Sequence, residues 1–416
     1  MAIEVDGGRR TSGILKIQGS KNAVLPLMAA SLLAEGMTVI EGCPDITDVR
    51  AMQEVIEALG GTVTYGKRRL QIDGSKMTGI EICQDKVRDI RASVLLMGAC
   101  LARFRQVTIA YPGGCSIGER PIDFHLQAFR SMGVTIREEE DKLVCHCEKN
   151  LRGCQISLPF PSVGATENII LAASMAEGET KIDNAAREPE IVELVSFLRA
   201  MGAKIEGEGT SSIRIEGVSM LKGIQWKLSE DRIAFLTYAM MVAGCGGDVA
   251  FQISSGHLNK ELWILEQLGC RCSLRKDWVR VRQTGSIRSI HYIKTGPYPE
   301  YPTDGQSLLL SVLSRANGVS IIEEMVFENR FRVIGQLRKM GANIDYVSNR
   351  AQVTGVTRLH AADVAATDLR SGAALLIAAS MAEGTSHISE ETYIMRGYEA
   401  VVENMNRMGL SARTVI

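Results

Sequence analysis

The sequence predicts an α/β protein of two domains, each built from three copies of one unit. Three observations predict it. An apolar residue followed by glycine closes a helical stretch six times, at Leu59-Gly60, Met132-Gly133, Met201-Gly202, Leu268-Gly269, Met340-Gly341 and Met408-Gly409, with 67 to 73 residues between successive glycines. A short strand-like piece follows each one, and a glycine in the left-handed conformation is what a helix end before a strand requires. Upstream lies a second, more apolar helix rich in small residues, in which Ala-Ala-Ser recurs at 29–31, 172–174 and 378–380. A repeat of this length marks a unit that cannot bury its apolar face alone.

The chain opens with a strand over 4–18, expected to precede the first unit and complete the other domain. The clearest upstream helices are 22–35, 166–177 and 369–383. In the third copy Ile191, Leu194, Val195, Leu198 and Met201 share one face of the helix before the glycine, with Glu193, Ser196 and Arg199 opposite. Each unit therefore reads helix, strand, helix, strand, with further strands before the next. Three and three gives one domain over 20–228 and a second over 1–19 with 229–416. The two crossings, near 18–20 and 227–230, are expected to form a hinge.

With 47 Lys+Arg against 48 Asp+Glu, the chain has no overall charge to attract nucleic acid or an acidic membrane. Its longest apolar runs, 233–244 and 372–381, fall short of the ~20 residues of a spanning helix. The opening Met-Ala-Ile-Glu-Val-Asp-Gly-Gly lacks the basic start and apolar centre of a signal peptide. A soluble, cytoplasmic protein with no nucleic-acid partner and no membrane insertion is expected. Among ten cysteines, Cys145/Cys147 and Cys270/Cys272 alternate, and neither they nor the six histidines make a metal-ligand spacing. Reduced, mostly buried thiols and no metal site are expected.

Two features point to chemistry. The loop Tyr111-Pro-Gly-Gly-Cys-Ser-Ile-Gly-Glu-Arg-Pro121 has three glycines in its first eight residues, a thiol at Cys115 and a guanidinium at Arg120. A thiol beside a fixed positive charge suits proton or covalent chemistry on an anion. The second feature is at the starts of the upstream helices: Lys21-Asn22, Arg91, Thr166-Glu167, Asp231-Arg232, Thr303-Asp304 and Arg370. Asn22 and Asp304 suit helix caps. Lys21, Arg91 and Arg370 do not, because that end already carries partial positive charge, and the mismatch points to an anionic ligand. Arg330 and Arg396 add guanidinium groups of the kind that hold carboxylate or phosphate. Asp304, in a stretch of loop character after Gly296-Pro-Tyr-Pro299, is the best candidate base.

These residues resemble the enolpyruvyl transferases, the family that includes the shikimate-pathway enzyme, and within it the branch acting on UDP-N-acetylglucosamine. The resemblance spans essentially the whole chain. It rests on Gly19-Ser-Lys-Asn22, Arg91-Ala-Ser93, Pro112-Gly-Gly-Cys115 through Arg120-Pro-Ile-Asp123, and Ser162-Val-Gly-Ala-Thr-Glu-Asn168. It continues in Asn184-Ala-Ala-Arg-Glu-Pro-Glu190, Pro302-Thr-Asp304, Phe327-Glu-Asn-Arg-Phe331, Asp368-Leu-Arg370 and Arg396-Gly-Tyr-Glu399. It implies a two-domain inside-out α/β barrel, each domain of three βαβαββ repeats with pseudo-threefold symmetry, closing on the UDP-sugar. The implied substrates are phosphoenolpyruvate and UDP-N-acetylglucosamine, with no cofactor. In this pattern Asp304 is the base, and Cys115 is the proton donor to C3, a site for a pyruvate adduct and the target of fosfomycin. Lys21, Arg120 and Arg396 hold the phosphate, and Arg330 and Arg370 lie by the carboxylate. Asn22, Arg91, Arg120, Pro121, Ile122, Asp123, Phe124, Ser162, Val163, Gly164 and Val326 line up with substrate contacts.

The chain departs from that pattern at Met395, where Asp is usual, and at Ala234-Phe235-Leu236, where Glu-Ala-Gly is common. It departs again at Gly305, where Met is usual, and at Phe160-Pro161. Those departures leave two alternatives in view: a catalytically weak UDP-sugar-binding paralogue with a regulatory role, and a transferase with another acceptor such as shikimate 3-phosphate.

Overall fold

The computed structural model describes residues 2–82, 91–110 and 122–415. Among the described residues, six inner helices alternate with six outer ones. The inner helices are α1 (Lys21–Ser31), α3 (Leu96–Phe104), α5 (Val163–Ala173), α7 (Arg232–Cys245), α9 (Thr303–Leu313) and α11 (Leu369–Met381). The outer helices are α2 (Thr47–Ala58), α4 (Asp123–Ser131), α6 (Pro189–Met201), α8 (Asn259–Gln267), α10 (Ile334–Lys339) and α12 (Val401–Arg407). A 3-10 turn beginning at Arg91 leads into α3.

The six glycines foreseen at the ends of the outer helices, Gly60, Gly133, Gly202, Gly269, Gly341 and Gly409, all have φ between 79° and 112°. A Cβ is strained in that conformation, which accounts for the residue choice. The inner helices are buried on nearly every side, as their lack of a polar face requires. The serine of each Ala-Ala-Ser is buried without cost because it donates back along its own helix: Ser31 to the Leu27 carbonyl, Ser174 to Ile170 and Ser380 to Leu376, each at 2.8 Å. In α6 the buried face is the one expected, and Glu193 opposite it accepts from Trp226 Nε1 at 3.1 Å and from the Ser229 amide at 3.0 Å.

The six four-stranded sheets formed by the described residues share one plan. A short edge strand runs parallel to a central strand, and an antiparallel hairpin completes the sheet, as in Gln155–Ser157, Glu179–Asp183, Ser212–Glu216 and Lys204–Glu206. The order edge strand, inner helix, central strand, outer helix, hairpin is βαβαββ.

The single opening strand expected over 4–18 is in fact two strands in two different sheets. Ala2–Asp6 lies between Thr385–Ser389 and Ser411–Val415, antiparallel to both, and supplies the missing hairpin strand of the sixth unit. Thr11–Lys16 is the parallel edge of the fourth, beside Gly247–Gln252. Gln225–Lys227 plays the same part for the first unit, beside Met37–Glu41.

By internal contacts the chain forms two units, one of the described residues within 19–229 and one of 1–18 with 230–416. Each has its own apolar core. In the first, Asn168 of α5 donates to the Val94 carbonyl and accepts from the Gly98 amide, both at 2.8 Å, so α3 and α5 approach closely. A Cβ on Gly98 would stand 2.4 Å from the Asn168 carbonyl oxygen. In the second, Ser311 of α9 donates to the Ala374 carbonyl of α11 at 2.8 Å.

Candidate active site

In the unit of 1–18 and 230–416, the inner helices bring their starts together. Asp231 caps α7, its carboxylate accepting from the Ile233 and Ala234 amides. Asp368 caps α11 in a capping box with Ser371. α9 has no side-chain cap, because its N-cap is Pro302. Asp304 therefore lies inside the first turn of α9 rather than in a loop, and it is not a cap. The caps of α1 and α5 are Ser20 and Ser162, so Asn22 is not one either.

The Asp304 carboxylate is held between two guanidinium groups. Oδ1 accepts from Arg330 Nη2 at 2.6 Å and Oδ2 from Arg370 Nη2 at 2.8 Å. Both arginine side chains are at least 96 % buried, while Asp304 keeps 23 % of its side-chain surface. Burial opposes the charge on Arg370, but Asp304, Tyr398 and Asp231 more than offset it and hold the guanidinium above its ordinary range. Arg330 Nε donates to Thr303 Oγ1 at 3.2 Å, and its guanidinium carbon lies 5.2 Å from the Phe327 ring centre. Asp368 is a further 3.8 Å neighbour of Arg330. Glu324 supports the same turn: one oxygen accepts from Thr303 Oγ1 and from the amides of Val326 and Phe327. Burial nevertheless pushes the Glu324 carboxyl up. Arg370 Nη1 donates to the Tyr398 hydroxyl at 3.0 Å. Arg396, half-buried, follows the helical turn Thr392–Met395.

In the unit of 19–229, Lys21 opens α1 and pairs with Asp48 at 2.7 Å. That acid, at the start of α2, answers the charge mismatch read from sequence. The arrangement recurs in the other unit, where Arg232 at the start of α7 meets Glu261 of α8 at 2.9 Å. In the fifth unit the signs are exchanged, with Asp304 on the inner helix and Arg330 preceding the outer one. The third unit has like charges at these places. Burial, then Glu190 and Glu188, hold the Glu167 carboxyl well above the ordinary range.

Ile122 is buried at the N-cap of α4, and Asp123 and the half-buried Phe124 open that helix. Asp123 Oδ1 is shielded from solvent without a hydrogen-bond partner among the described residues. Ser162 caps α5 through the Ala165 amide, and Val163 and Gly164 follow. A Cβ on Gly164 would lie 3.4 Å from His125 Cε1, so the starts of α4 and α5 adjoin. Cys115, Arg120 and Pro121 lie outside the described residues, as does the Arg91 side chain. Among the described residues, no cluster of three His, Cys, Asp or Glu side chains could hold a metal ion. No helix among them is long and apolar enough to cross a membrane. Burial pushes the thiols of Cys145, Cys270 and Cys272 up to about 12.

Residues 5–405 match the family model for EPSP synthase (3-phosphoshikimate 1-carboxyvinyltransferase). The chain belongs to this enolpyruvyl transferase family. Among its relatives, the UDP-N-acetylglucosamine 1-carboxyvinyltransferase of Finegoldia magna is 41 % identical, across 99 % of this chain and 98 % of that one. The UDP-N-acetylglucosamine 1-carboxyvinyltransferase 1 of Halalkalibacterium halodurans is 42 % identical, across 100 % and 94 %. The crystal structure of the enolpyruvyl transferase NikO from Streptomyces tendae shares the fold with a TM-score of 0.90, at 24 % identity and covering 99 % of this chain and 98 % of that one.

In this transferase Met395 is half-buried and packs against the apolar core of its unit, and Ala234 is buried in α7. Phe160 stays 37 % exposed just before the Ser162 cap. Sequence reasoning assigned no role to Asp48, Glu324, Thr237 or Tyr398. The signal for Asp48 was an acid at the start of the outer helix that follows a cation on the inner one.

Proposed function

We propose that this transferase moves the enolpyruvyl group of phosphoenolpyruvate to the 3′-hydroxyl of UDP-N-acetylglucosamine, releasing phosphate, as the first committed step of peptidoglycan synthesis in the cytoplasm. The observation that carries the reading is the Asp304 carboxylate set between Arg330 and Arg370 at the start of α9. The relatives' shared name across nearly the whole chain supports the acceptor.

The sugar oxygen adds to C2 of phosphoenolpyruvate as its proton passes to Asp304, and C3 takes a proton from Cys115. The tetrahedral ketal then breaks its C2–phosphate oxygen bond and returns a proton from C3, leaving the enol ether and free phosphate. Arg330 and Arg370 attract the substrate carboxylate. When that carboxylate replaces Asp304 on one guanidinium, Asp304 loses a stabilising partner and becomes the stronger base. Lys21, Arg120 and Arg396 hold the phosphate, and their charge favours the anionic intermediate. Asn22, Arg91, Pro121, Ile122, Asp123, Phe124, Ser162, Val163, Gly164 and Val326 contact the UDP-sugar.

A phosphate-release assay tests this. Release is expected only with both substrates present, and is lost in Cys115→Ser and Asp304→Ala. Turnover with shikimate 3-phosphate instead of the UDP-sugar would overturn the acceptor. Tight UDP-sugar binding without phosphate release would overturn the transfer itself.

A further inference from the structure

Thr237 Oγ1 lies 2.9 Å from the Ile233 carbonyl and 2.7 Å from the Tyr398 hydroxyl, which in turn lies 3.0 Å from Arg370 Nη1. The direction of this chain is fixed by what each group can do. A guanidinium only donates, so Tyr398 accepts from Arg370. A carbonyl only accepts, so the single Thr237 proton goes to Ile233. The Tyr398 proton therefore goes to Thr237. The relay runs from α11 through Tyr398 to α7, and its far end is the Asp304 carboxylate on α9. Thr237 and Tyr398 are fully buried.

Arg370 has few other restraints. Its Nε is buried without a hydrogen-bond partner among the described residues. Its guanidinium carbon is 5.6 Å from the Tyr398 ring centre. The plane of the guanidinium is thus set from two sides, by Asp304 at Nη2 and by Tyr398 at Nη1. The Tyr398 ring is itself held edge-on against Tyr238, with ring centres 6.5 Å apart.

We propose that Tyr398 and Thr237 are positioning residues: they orient Arg370 toward the substrate carboxylate and, through it, fix Asp304. The inference rests on the function proposed above, in which Arg370 meets that carboxylate. Tyr398→Phe keeps the ring and removes the acceptor, so Arg370 Nη1 joins Nε as a buried donor without a partner. Thr237→Val removes the acceptor for Tyr398, and Thr237→Ser restores it.

The test is steady-state kinetics of the full chain over a range of pH. For Tyr398→Phe, KM for phosphoenolpyruvate rises about tenfold or more, the range expected for one hydrogen bond to a charged group. KM for UDP-N-acetylglucosamine stays within about twofold on the same reasoning. The acid limb of the kcat/KM profile moves to higher pH, because Asp304 loses part of its hold on a fixed cation. Thr237→Val shifts both readouts in the same direction, and Thr237→Ser returns them to the wild-type values.

A wild-type chain that releases no phosphate from the two substrates would overturn the proposed function and this inference together. Wild-type turnover with KM for phosphoenolpyruvate and the acid limb unaltered in Tyr398→Phe would overturn this inference alone. If Tyr398→Phe does not fold, the valine and serine variants at 237 decide, and equal behaviour of those two overturns it.

Discussion

Leu236 of α7 and Gly305 of α9 are sized for each other. A Cβ on Gly305 would stand 2.8 Å from Leu236 Cδ2, and 2.6 Å from the hydroxyl of the fully buried Tyr301. Tyr301 also donates to the Gly305 carbonyl at 2.7 Å. Positions 236 and 305, both of which differ from the pattern the resemblance implies, therefore share one space next to Asp304.

Gly305→Ala is expected to destabilise the protein by about 1–3 kcal/mol through overpacking. Leu236→Ala alone should cost about 2–5 kcal/mol by opening a cavity. Because each change relieves part of the other, the double variant should cost less than the two together, with a coupling of about 0.5–3 kcal/mol. Urea denaturation of the four proteins measures it, and strict additivity would show that the two positions do not share this space.

Asp304→Ala leaves two buried guanidinium groups without their shared acid. A loss of about 3–5 kcal/mol in stability is expected, with a fall of roughly 10²–10⁴ in kcat for loss of a general base. Asp304→Asn keeps the shape and should lose the same activity. Activity retained in the asparagine variant would remove Asp304 from the base role.

Glu167 makes a prediction about pH. Its raised carboxyl is matched to the protonated form, so its contribution to stability is full below the ordinary value of 4.5 and is lost as pH rises toward the raised one. Glu167→Gln should therefore change the Tm little near pH 4.5 and raise it relative to wild type at pH 8. An equal Tm difference at both pH values would refute the raised carboxyl.

Fosfomycin should alkylate one thiol, Cys115, and do so faster with UDP-N-acetylglucosamine present. Deeply buried thiols such as Cys100 and Cys145, both pushed up to about 12, have too little thiolate to compete. Intact-mass analysis and peptide mapping check it. An unmodified Cys115 after saturating treatment would count against a reactive thiol there.

The repeat was legible because its mark is stereochemical. Gly60 and its five equivalents stand where φ is positive, and few other residues serve there. The Ala-Ala-Ser of α1, α5 and α11 was legible because a buried helix needs small residues whose one hydroxyl satisfies itself. The pairing of Ala2–Asp6 with Ser411–Val415 left no local trace, since nothing in either segment encodes a partner so distant. The helical start at Asp304 was hidden by the prolines before it: Pro302 ends the loop and α9 begins with the next residue. Lys21 was read as facing a ligand, and what the sequence could not display was Asp48, brought beside it by the packing of α2. Tyr398 and Thr237 look like ordinary core residues until Arg370 is placed next to them.

The position of Ala2–Asp6 between Thr385–Ser389 and Ser411–Val415 has a consequence for biosynthesis. These five residues are made well before either neighbour, since both partners lie far downstream in the chain. At about 5–20 residues per second, the nascent strand waits roughly 20–80 s with neither edge covered. The unit that contains it cannot finish assembling until Ser411–Val415 has been made, whereas the unit between its two parts can close before then.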